Sequence, residues 1–216
     1  MKKSKEISEE LYNKVRPCGS QAARFYGLAK VHKQNTPVRP IVSMPGSAYH
    51  KLAVELGCYL KRLPQANINV NVPKVQESIT SLSLEPDEDL VSLDVVSLFT
   101  NVPVKEAIII AANKLFDNEN IEKPDMSQST FVKLLEMVSV NVLFCDREGT
   151  FYRQTDGVAM GSPVAPLLAN LFLSQFDQEL GSHSITYFKY VDDVIRSMLK
   201  GGKQFFVDFV NTMHEQ

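Results

Sequence analysis

The spacing of apolar residues divides this 216-residue chain into predicted helices and strands. Leu52, Leu56 and Leu60 recur at helical spacing behind Ser47, which predicts a helix capped by that serine. Ser8 takes the same kind of capping position before a shorter amphipathic stretch. Five further helices are predicted over residues 72–84, 103–116, 129–138, 162–180 and 203–213. The fourth of these is so apolar that it must be buried on most of its circumference.

Short runs of β-forming residues alternate with the helices. Residues 24–44 contain two such runs around the polar turn "KQNTP", and residues 140–154 contain two around "DREG", so each range predicts a β-hairpin. Residues 89–95 predict one strand, and "ITYFKYV" and "VIRSM" predict two more, on either side of Asp192 and Asp193. Because strict βαβ alternation is missing, the pattern predicts the α+β class, with helices covering one face of an antiparallel sheet.

The net charge of −2 hides an uneven distribution along the chain. Residues 1–62 contain 12 Lys/Arg and 4 Asp/Glu, whereas residues 63–216 contain 11 Lys/Arg and 21 Asp/Glu. The basic part suits a polyanion such as nucleic acid, although a solvated basic surface would give the same composition.

Cysteine usage and hydropathy indicate a protein of a reducing compartment that does not enter a membrane. The three cysteines are scattered and form no CxxC pair, which argues against a disulfide framework or a cysteine zinc site. No apolar run has the length of a bilayer span, and the charged amino terminus lacks the apolar region of a secretory signal.

Two adjacent aspartates, Asp192 and Asp193, stand at the tip of the last predicted hairpin. Aspartate is common in turns, so the pair alone is explained by a polar turn. Asp94, however, ends another apolar strand, and a carboxylate against a core is rare unless it is paired or binds a metal. If the strands are neighbours, the three carboxylates form an oxygen site suited to Mg²⁺. Two ions about 3.5–4 Å apart would then serve an in-line phosphoryl displacement.

Four ordered segments resemble reverse transcriptases, over roughly residues 24–213. "YVDD" (190–193) resembles their catalytic hairpin, and "LVSLDVVSLFTNVP" (90–103) resembles the strand with the first catalytic aspartate. "GVAMGSPVAPLLANLFL" (157–173) resembles the loop and helix that support primer-template and nucleotide. "YGLAKVHK" with "TPVRPIVS" (26–43) resembles the fingers hairpin of Penelope-like retroelement reverse transcriptases, and is also similar to that of telomerase reverse transcriptase.

The resemblance implies a right-hand polymerase palm, an antiparallel sheet backed by helices, with a partial fingers subdomain and no thumb. It divides the chain into an N-terminal helical extension (1–23), a fingers-like subdomain (24–85) and a palm subdomain (86–216).

The resemblance also implies roles for individual residues. The catalytic carboxylates would be Asp94, Asp192 and Asp193, which with the Val95 carbonyl would hold two Mg²⁺ ions, Mn²⁺ being the alternative. The nucleotide would contact Lys30, Arg39, Phe99 and Gly161, and the Phe99 ring would exclude a 2′-hydroxyl. The primer-template would contact Tyr190, Ser162 and Pro163. Without the resemblance, Phe99 is a core aromatic and the two cations are exposed basic residues of a hairpin.

Three residues depart from the pattern of reverse transcriptases. Met160 stands where many carry glutamine, although methionine is usual in the Penelope-like group, and Ala29 stands where a proline is expected. Arg196 lies in a strand position that is more often apolar, so it needs a partner if it points inward.

The implied reaction is RNA-directed DNA synthesis, in which a primer 3′-hydroxyl attacks the α-phosphate of a dNTP. The implied partners are an RNA template, a DNA primer and dNTP, and the life cycle of such elements implies an intracellular, nuclear protein. One alternative is a truncated or repurposed, inactive relative that binds nucleic acid or a protein. Another is an RNA-directed RNA polymerase or a nucleotide cyclase, against which Phe99 argues.

Overall fold

A computed structural model describes residues 6–64, 72–177, 186–190, 193–204 and 207–208. The helices are α1 (Glu9–Val15), α2 (His50–Leu60), α3 (Val72–Thr80), α4 (Leu98–Asn101), α5 (Val104–Phe116), α6 (Gln128–Ser139) and α7 (Ala165–Leu173). The strands are β1 (Ala23–Ala29), β2 (Val38–Ser43), β3 (Glu88–Asp94), β4 (Leu143–Cys145), β5 (Phe151–Arg153), β6 (Tyr187–Tyr190) and β7 (Asp193–Leu199). This irregular mixture of helices and strands confirms the predicted α+β class.

The chain forms two compact units, each built from two separate stretches of sequence. Unit 1 comprises Met1–Pro64 and Ser97–Phe172, and unit 2 comprises Gln65–Val96 and Leu173–Gln216. The predicted extension (1–23), fingers (24–85) and palm (86–216) do not coincide with these units. Those three assignments therefore stay predictions.

Unit 1 contains a four-stranded sheet in the order β2-β1-β4-β5. Each predicted hairpin is confirmed, because β1 pairs antiparallel with β2 and β4 pairs antiparallel with β5. The two hairpins meet through a parallel contact between β1 and β4, so this sheet is mixed rather than purely antiparallel. Its buried side carries a small apolar core of Ala23, Val42, Met44, Val142 and Ala159.

The "DREG" turn between β4 and β5 is organised by the side chain of Asp146. Its carboxylate accepts hydrogen bonds from the backbone N–H groups of Glu148 and Thr150, each at 2.9 Å, and from the Tyr152 hydroxyl at 3.1 Å. These hydrogen bonds, with that of Thr150 the largest contribution, lower the pKa of Asp146. Gly149 completes the turn at a φ of 86°, which suits glycine.

Helices α2, α5 and α6 pack together in unit 1 around Phe131. The Phe131 ring meets Tyr59 and Phe116 edge-on, with ring centroids 6.4 Å and 5.8 Å away. The predicted leucine stripe of α2 is buried at Leu52, Leu56 and Leu60. In the described ranges no helix is both long and apolar enough to cross a membrane.

Three predicted helix boundaries are wrong. The helix predicted over 72–84 ends at Thr80, and the other two differences have a local cause. Ser47 does not cap α2, because a turn from Met44 to Ser47 comes first and the helix begins at His50. The predicted helix 162–180 begins only at Ala165, because Ser162 closes a turn by donating its backbone N–H to the Ala159 carbonyl. Within α7 only Pro166 and Leu173 escape burial, which confirms the predicted buried circumference. The rest of this predicted helix beyond residue 177, and most of the predicted helix 203–213, lie outside the described residues.

Unit 2 contains a three-stranded antiparallel sheet in the order β3-β7-β6. The central strand β7 pairs with β3 from Glu88↔Leu199 to Asp94↔Asp193, and with β6 from Tyr187↔Arg196 to Tyr190↔Asp193. Strands β6 and β7 are joined by residues 191 and 192 alone, so the predicted hairpin "ITYFKYV"–"VIRSM" is confirmed in its pairing.

Candidate active site

Two carboxylates meet at one end of the sheet of unit 2. Asp94, the last residue of β3, lies directly opposite Asp193, the first residue of β7. Directly opposed residues of an antiparallel pair share a face, with their Cβ atoms about 4.5–5.5 Å apart. The structure therefore brings these two predicted site residues together. Asp192 lies outside the described residues, and Val95 follows Asp94 directly after the strand ends.

The carboxylate pair is exposed, which differs from the expectation of a carboxylate held against a core. Asp94 and Asp193 are both exposed, whereas Val91, Leu93 and Val194 point to the other face and are at least half-buried. Alternation along β3 accounts for the exposure, because Val91 and Leu93 take the other face and leave Leu90, Ser92 and Asp94, all of them exposed, on this one.

The donor chemistry of this pair fits a hard divalent cation. Directly opposed like charges destabilise a strand pair, and a cation between them would remove that repulsion. Carboxylate oxygens are the ligands that Mg²⁺ and Mn²⁺ prefer. Among the described residues no group of three or more His, Cys, Asp and Glu side chains could hold a metal ion. Asp94 and Asp193 would thus need further oxygens, for which Asp192 and the Val95 carbonyl are the predicted sources.

A buried charged cluster on the opposite face of this sheet was missed by the sequence reasoning. Lys189 Nζ lies 2.5 Å from Oδ1 and 2.6 Å from Oδ2 of Asp177, and the Tyr187 hydroxyl donates to the same Oδ1 at 2.9 Å. Burial, and then the neighbouring Asp177 carboxylate, raise the pKa of Tyr187, so the phenol stays a neutral donor. The only signal in the sequence was a lysine inside an otherwise β-forming run.

Arg196 points inward, so it needs the partner that the sequence requires of a buried arginine. It is buried, and it lies opposite Tyr187 on β6 and opposite Val91 on β3. Its Nε donates to the Ser197 carbonyl at 3.4 Å. Burial lowers the pKa of Arg196, and the neighbouring Tyr187 partly offsets that effect.

In unit 1, Lys30 and Arg39 lie on the β1–β2 hairpin. Arg39 is exposed on β2 opposite Leu28, and Lys30 follows β1 two residues beyond Leu28. The Lys30 backbone N–H donates to the Pro37 carbonyl at 2.8 Å and so closes the loop at its base. The hairpin thus carries both cations near the loop end of its ladder.

Phe99 lies on the short helix α4 and is fixed through its backbone. Its carbonyl accepts a hydrogen bond from the Val158 N–H at 2.7 Å. Gly157, at a φ of 67°, approaches so closely that a Cβ there would collide with the Phe99 carbonyl and lie 2.6 Å from Thr100 Cα. Ser97, at the start of α4, has a φ of 54°, a conformation uncommon for residues other than glycine. The loop at 157–158 therefore seats directly on α4.

Gly161 makes a similar close approach to β2. At a φ of 116°, a Cβ on Gly161 would collide with the Val42 carbonyl oxygen, while the Val42 N–H donates to the Met160 carbonyl at 2.7 Å. Ser162 is buried, and its Oγ has no hydrogen-bond partner in the described part of the chain. Pro163 is half-buried in the turn before α7. The Ser162 hydroxyl is thus not displayed at the surface, and its assigned primer-template contact stays a prediction, as does that of Pro163.

The family profile described as "Reverse transcriptase (RNA-dependent DNA polymerase)" matches residues 31–204. This chain belongs to the reverse transcriptase family. The matched range contains every predicted site residue of the chain except Lys30, which lies one position before it. Among curated proteins, no sequence matches it.

Solved polymerases share the fold of this chain. An apo telomerase from Candida tropicalis, truncated from its C-terminal domain, has a TM-score of 0.56 at 13% identity, covering 87% of this chain and 45% of its own. Candida albicans telomerase, in complex with a TWJ fragment of telomeric RNA, has a TM-score of 0.58 at 10% identity, covering 94% and 40%. The BmCPV RNA-dependent RNA polymerase has a TM-score of 0.57 at 10% identity, covering 95% and 20%. The chain thus spans less than half the length of each of these polymerases.

Proposed function

We propose that this chain carries the nucleotidyl-transfer site of an RNA-directed DNA polymerase, which adds a dNTP to a primer 3′-hydroxyl on an RNA template. The placement of Asp94 directly opposite Asp193 is the observation that carries the proposal. Two exposed carboxylates at the end of an antiparallel sheet provide oxygens that a cation can reach from solvent. Membership of the reverse transcriptase family supports the reaction class.

Asp94, Asp192 and Asp193, with the Val95 carbonyl, would hold the divalent cations. Bound Mg²⁺ or Mn²⁺ would stabilise the negative charge that develops on the attacking and leaving oxygens. The protein's own contribution is to hold Asp94 and Asp193 on one face of the sheet before any cation binds, which the β3–β7 ladder does through seven consecutive residue pairs.

The hairpin cations and Phe99 would bind and select the nucleotide. Arg39 is exposed and offers a planar pair of donors to phosphate oxygens, and Lys30 offers a compact charge near it. Phe99 would exclude ribonucleotides if its ring lies against C2′ of the incoming sugar. The glycines at 157 and 161 seat the following loop against α4 and β2, which would fix backbone groups near the nucleotide.

The finer assignments belong to the same proposal. Tyr190, Ser162 and Pro163 would contact the primer-template. The wording of segment 26–43 favours a Penelope-like retroelement, and with it an intracellular, nuclear location. The chain would supply a fingers-like subdomain (24–85) and a palm (86–216) to the polymerase.

Primer extension on a poly(rA) template with an oligo(dT) primer, in Mg²⁺ or Mn²⁺, tests the proposal. Asp94→Asn and Asp193→Asn should each lower the extension rate by about 10²-fold or more. Asp89→Asn is the matched control, because Asp89 is an exposed carboxylate of the same strand that lies opposite Met198, five residues away from Asp94. Equal rates for Asp94→Asn and Asp89→Asn would refute the assigned site.

The same assay separates the alternatives. Retained RNA binding without extension, by wild type and control alike, would favour the inactive nucleic-acid-binding relative. Extension with NTP in preference to dNTP would favour RNA synthesis. A dNTP preference that survives Phe99→Ala would remove the selective role of Phe99.

A further inference from the structure

A buried ion pair anchors the strand that leads into the carboxylate hairpin. The side chains of Lys189 and Asp177 are only 2% and 4% exposed, and the Lys189 ammonium contacts both carboxylate oxygens. The Tyr187 hydroxyl adds a hydrogen bond to the same carboxylate. None of these groups takes part in the proposed chemistry.

The pair lies on the opposite face of the sheet from the carboxylates. Lys189 is the cross-strand partner of Val194, and Asp193 is the neighbour of Val194 on the other face. Asp177 comes from the segment that follows α7, so the pair ties β6 to a part of unit 2 twelve residues earlier in sequence. Lys189 thus fixes β6 through the face of the sheet opposite to the carboxylates, four residues before Asp193.

The stability of the fold does not by itself explain such a pair. A buried ion pair carries a large desolvation cost, and well-packed apolar residues can often replace it without loss of stability. The pair does restrict the position of β6 relative to Asp177, because a buried ammonium must stay against its carboxylate. A slip of β6 by one residue would turn Lys189 to the opposite face and break the contact.

We propose that Lys189 and Asp177, assisted by Tyr187, act as a register lock that holds β6 in its pairing with β7. Since only residues 191 and 192 join these strands, the register of β6 sets where the β6–β7 ladder ends, at Tyr190↔Asp193, next to the pair that the β3–β7 ladder forms between Asp193 and Asp94. Lys189 and Asp177 are positioning residues, and the inference rests on the proposed function in taking the carboxylates as the cation site.

The test replaces the pair by apolar residues in Lys189→Met/Asp177→Leu and compares two readouts in the folded protein. Hydrogen exchange of the peptide covering 187–199 reports how well the ladder amides of the hairpin are protected, and electron paramagnetic resonance of Mn²⁺ reports cation affinity. Hairpin amides should exchange about tenfold faster, and the Mn²⁺ affinity should fall by about 10-fold or more. The matched control is Lys14→Met/Glu55→Leu, which removes an ion pair of 2.6 Å in unit 1 and should change neither readout.

Three results would overturn the lock. One is a folded double variant with wild-type exchange and wild-type Mn²⁺ affinity. Another is a lower urea midpoint with unchanged Mn²⁺ affinity, which would make the pair merely structural. If the double variant does not fold, Tyr187→Phe removes only the 2.9 Å hydrogen bond and should accelerate hairpin exchange about twofold to threefold. No change in exchange for Tyr187→Phe would also overturn the lock.

Absence of primer extension by the wild type would defeat the proposed function, while exchange and Mn²⁺ binding would still decide the lock.

Discussion

Replacing Gly157 by alanine tests whether the loop before α7 must seat against α4. Gly157 has a φ of 67°, and an added Cβ would collide with the Phe99 carbonyl and lie 2.6 Å from both Thr100 Cα and the Thr100 carbonyl oxygen. These are backbone atoms of a helix and cannot move aside as a flexible side chain could. The loop itself would have to shift, and the 2.7 Å hydrogen bond from Val158 to Phe99 would shift with it.

The size of the effect follows from two separable costs. An alanine in the left-handed region loses about 1–2 kcal/mol relative to glycine. Overpacking against atoms that cannot relax adds about 1–3 kcal/mol. Gly157→Ala should therefore lower the free energy of unfolding by about 2–5 kcal/mol.

Gly149→Ala is the matched control, because it separates the two costs. Gly149 also has a positive φ, 86°, but no described atom lies within 4 Å of a Cβ built there. It should lose only the conformational part, about 1–2 kcal/mol. Urea denaturation followed by far-ultraviolet circular dichroism measures both variants, and equal losses would refute the steric account of Gly157.

Three further predictions concern single residues. Asp94→Asn removes a like-charge contact, so in metal-free buffer it should raise the free energy of unfolding by about 0.2–1 kcal/mol. Asp89→Asn should change the free energy of unfolding less. A lower free energy of unfolding for Asp94→Asn would contradict the repulsion assigned to Asp94 and Asp193. Because the pKa of Asp146 is lowered, its hydrogen bonds stabilise the turn fully at pH values above the ordinary carboxyl pKa. This stabilisation is lost as the pH falls through the pKa that Asp146 has in the folded protein. The amide chemical shifts of its backbone donors should thus titrate with a midpoint below 3.8, and a higher midpoint would contradict the hydrogen-bonded turn. Ser8→Ala should lower the free energy of unfolding by about 1 kcal/mol, because the Ser8 hydroxyl accepts a hydrogen bond from the Leu11 N–H at 3.2 Å. Ser47→Ala removes a buried hydroxyl that has no partner in the described chain, so it should change the free energy of unfolding little in the same urea titration.

Local pattern was a good guide wherever a structure depends on adjacent residues. The cap at Ser8, both hairpins of unit 1 and the buried stripe of α2 all follow from short-range spacing and turn chemistry. The same reasoning failed at Ser47, because a serine before an apolar periodic run fits a cap equally well whether or not a turn intervenes.

Burial of polar groups was the weakest part of the sequence interpretation. Asp94 was expected against a core and is exposed, whereas Lys189 and Asp177 are buried against each other. In the sequence a lysine within a strand indicates an outward position, since only a specific partner makes its burial tolerable. That partner lies in another segment, where no periodicity identifies it.

The sequence by itself determined the types of the local elements, the three aspartates available for cations and the segments that resemble reverse transcriptases. Those features depend on residues within a few positions of one another. Tertiary structure alone decided that Asp94 meets Asp193 across a ladder, that β1 and β4 run parallel, and that a Cβ is excluded at Gly157. Strand register depends on the combined packing of faces from segments about a hundred residues apart, because a slip of one residue would exchange the two faces of a strand.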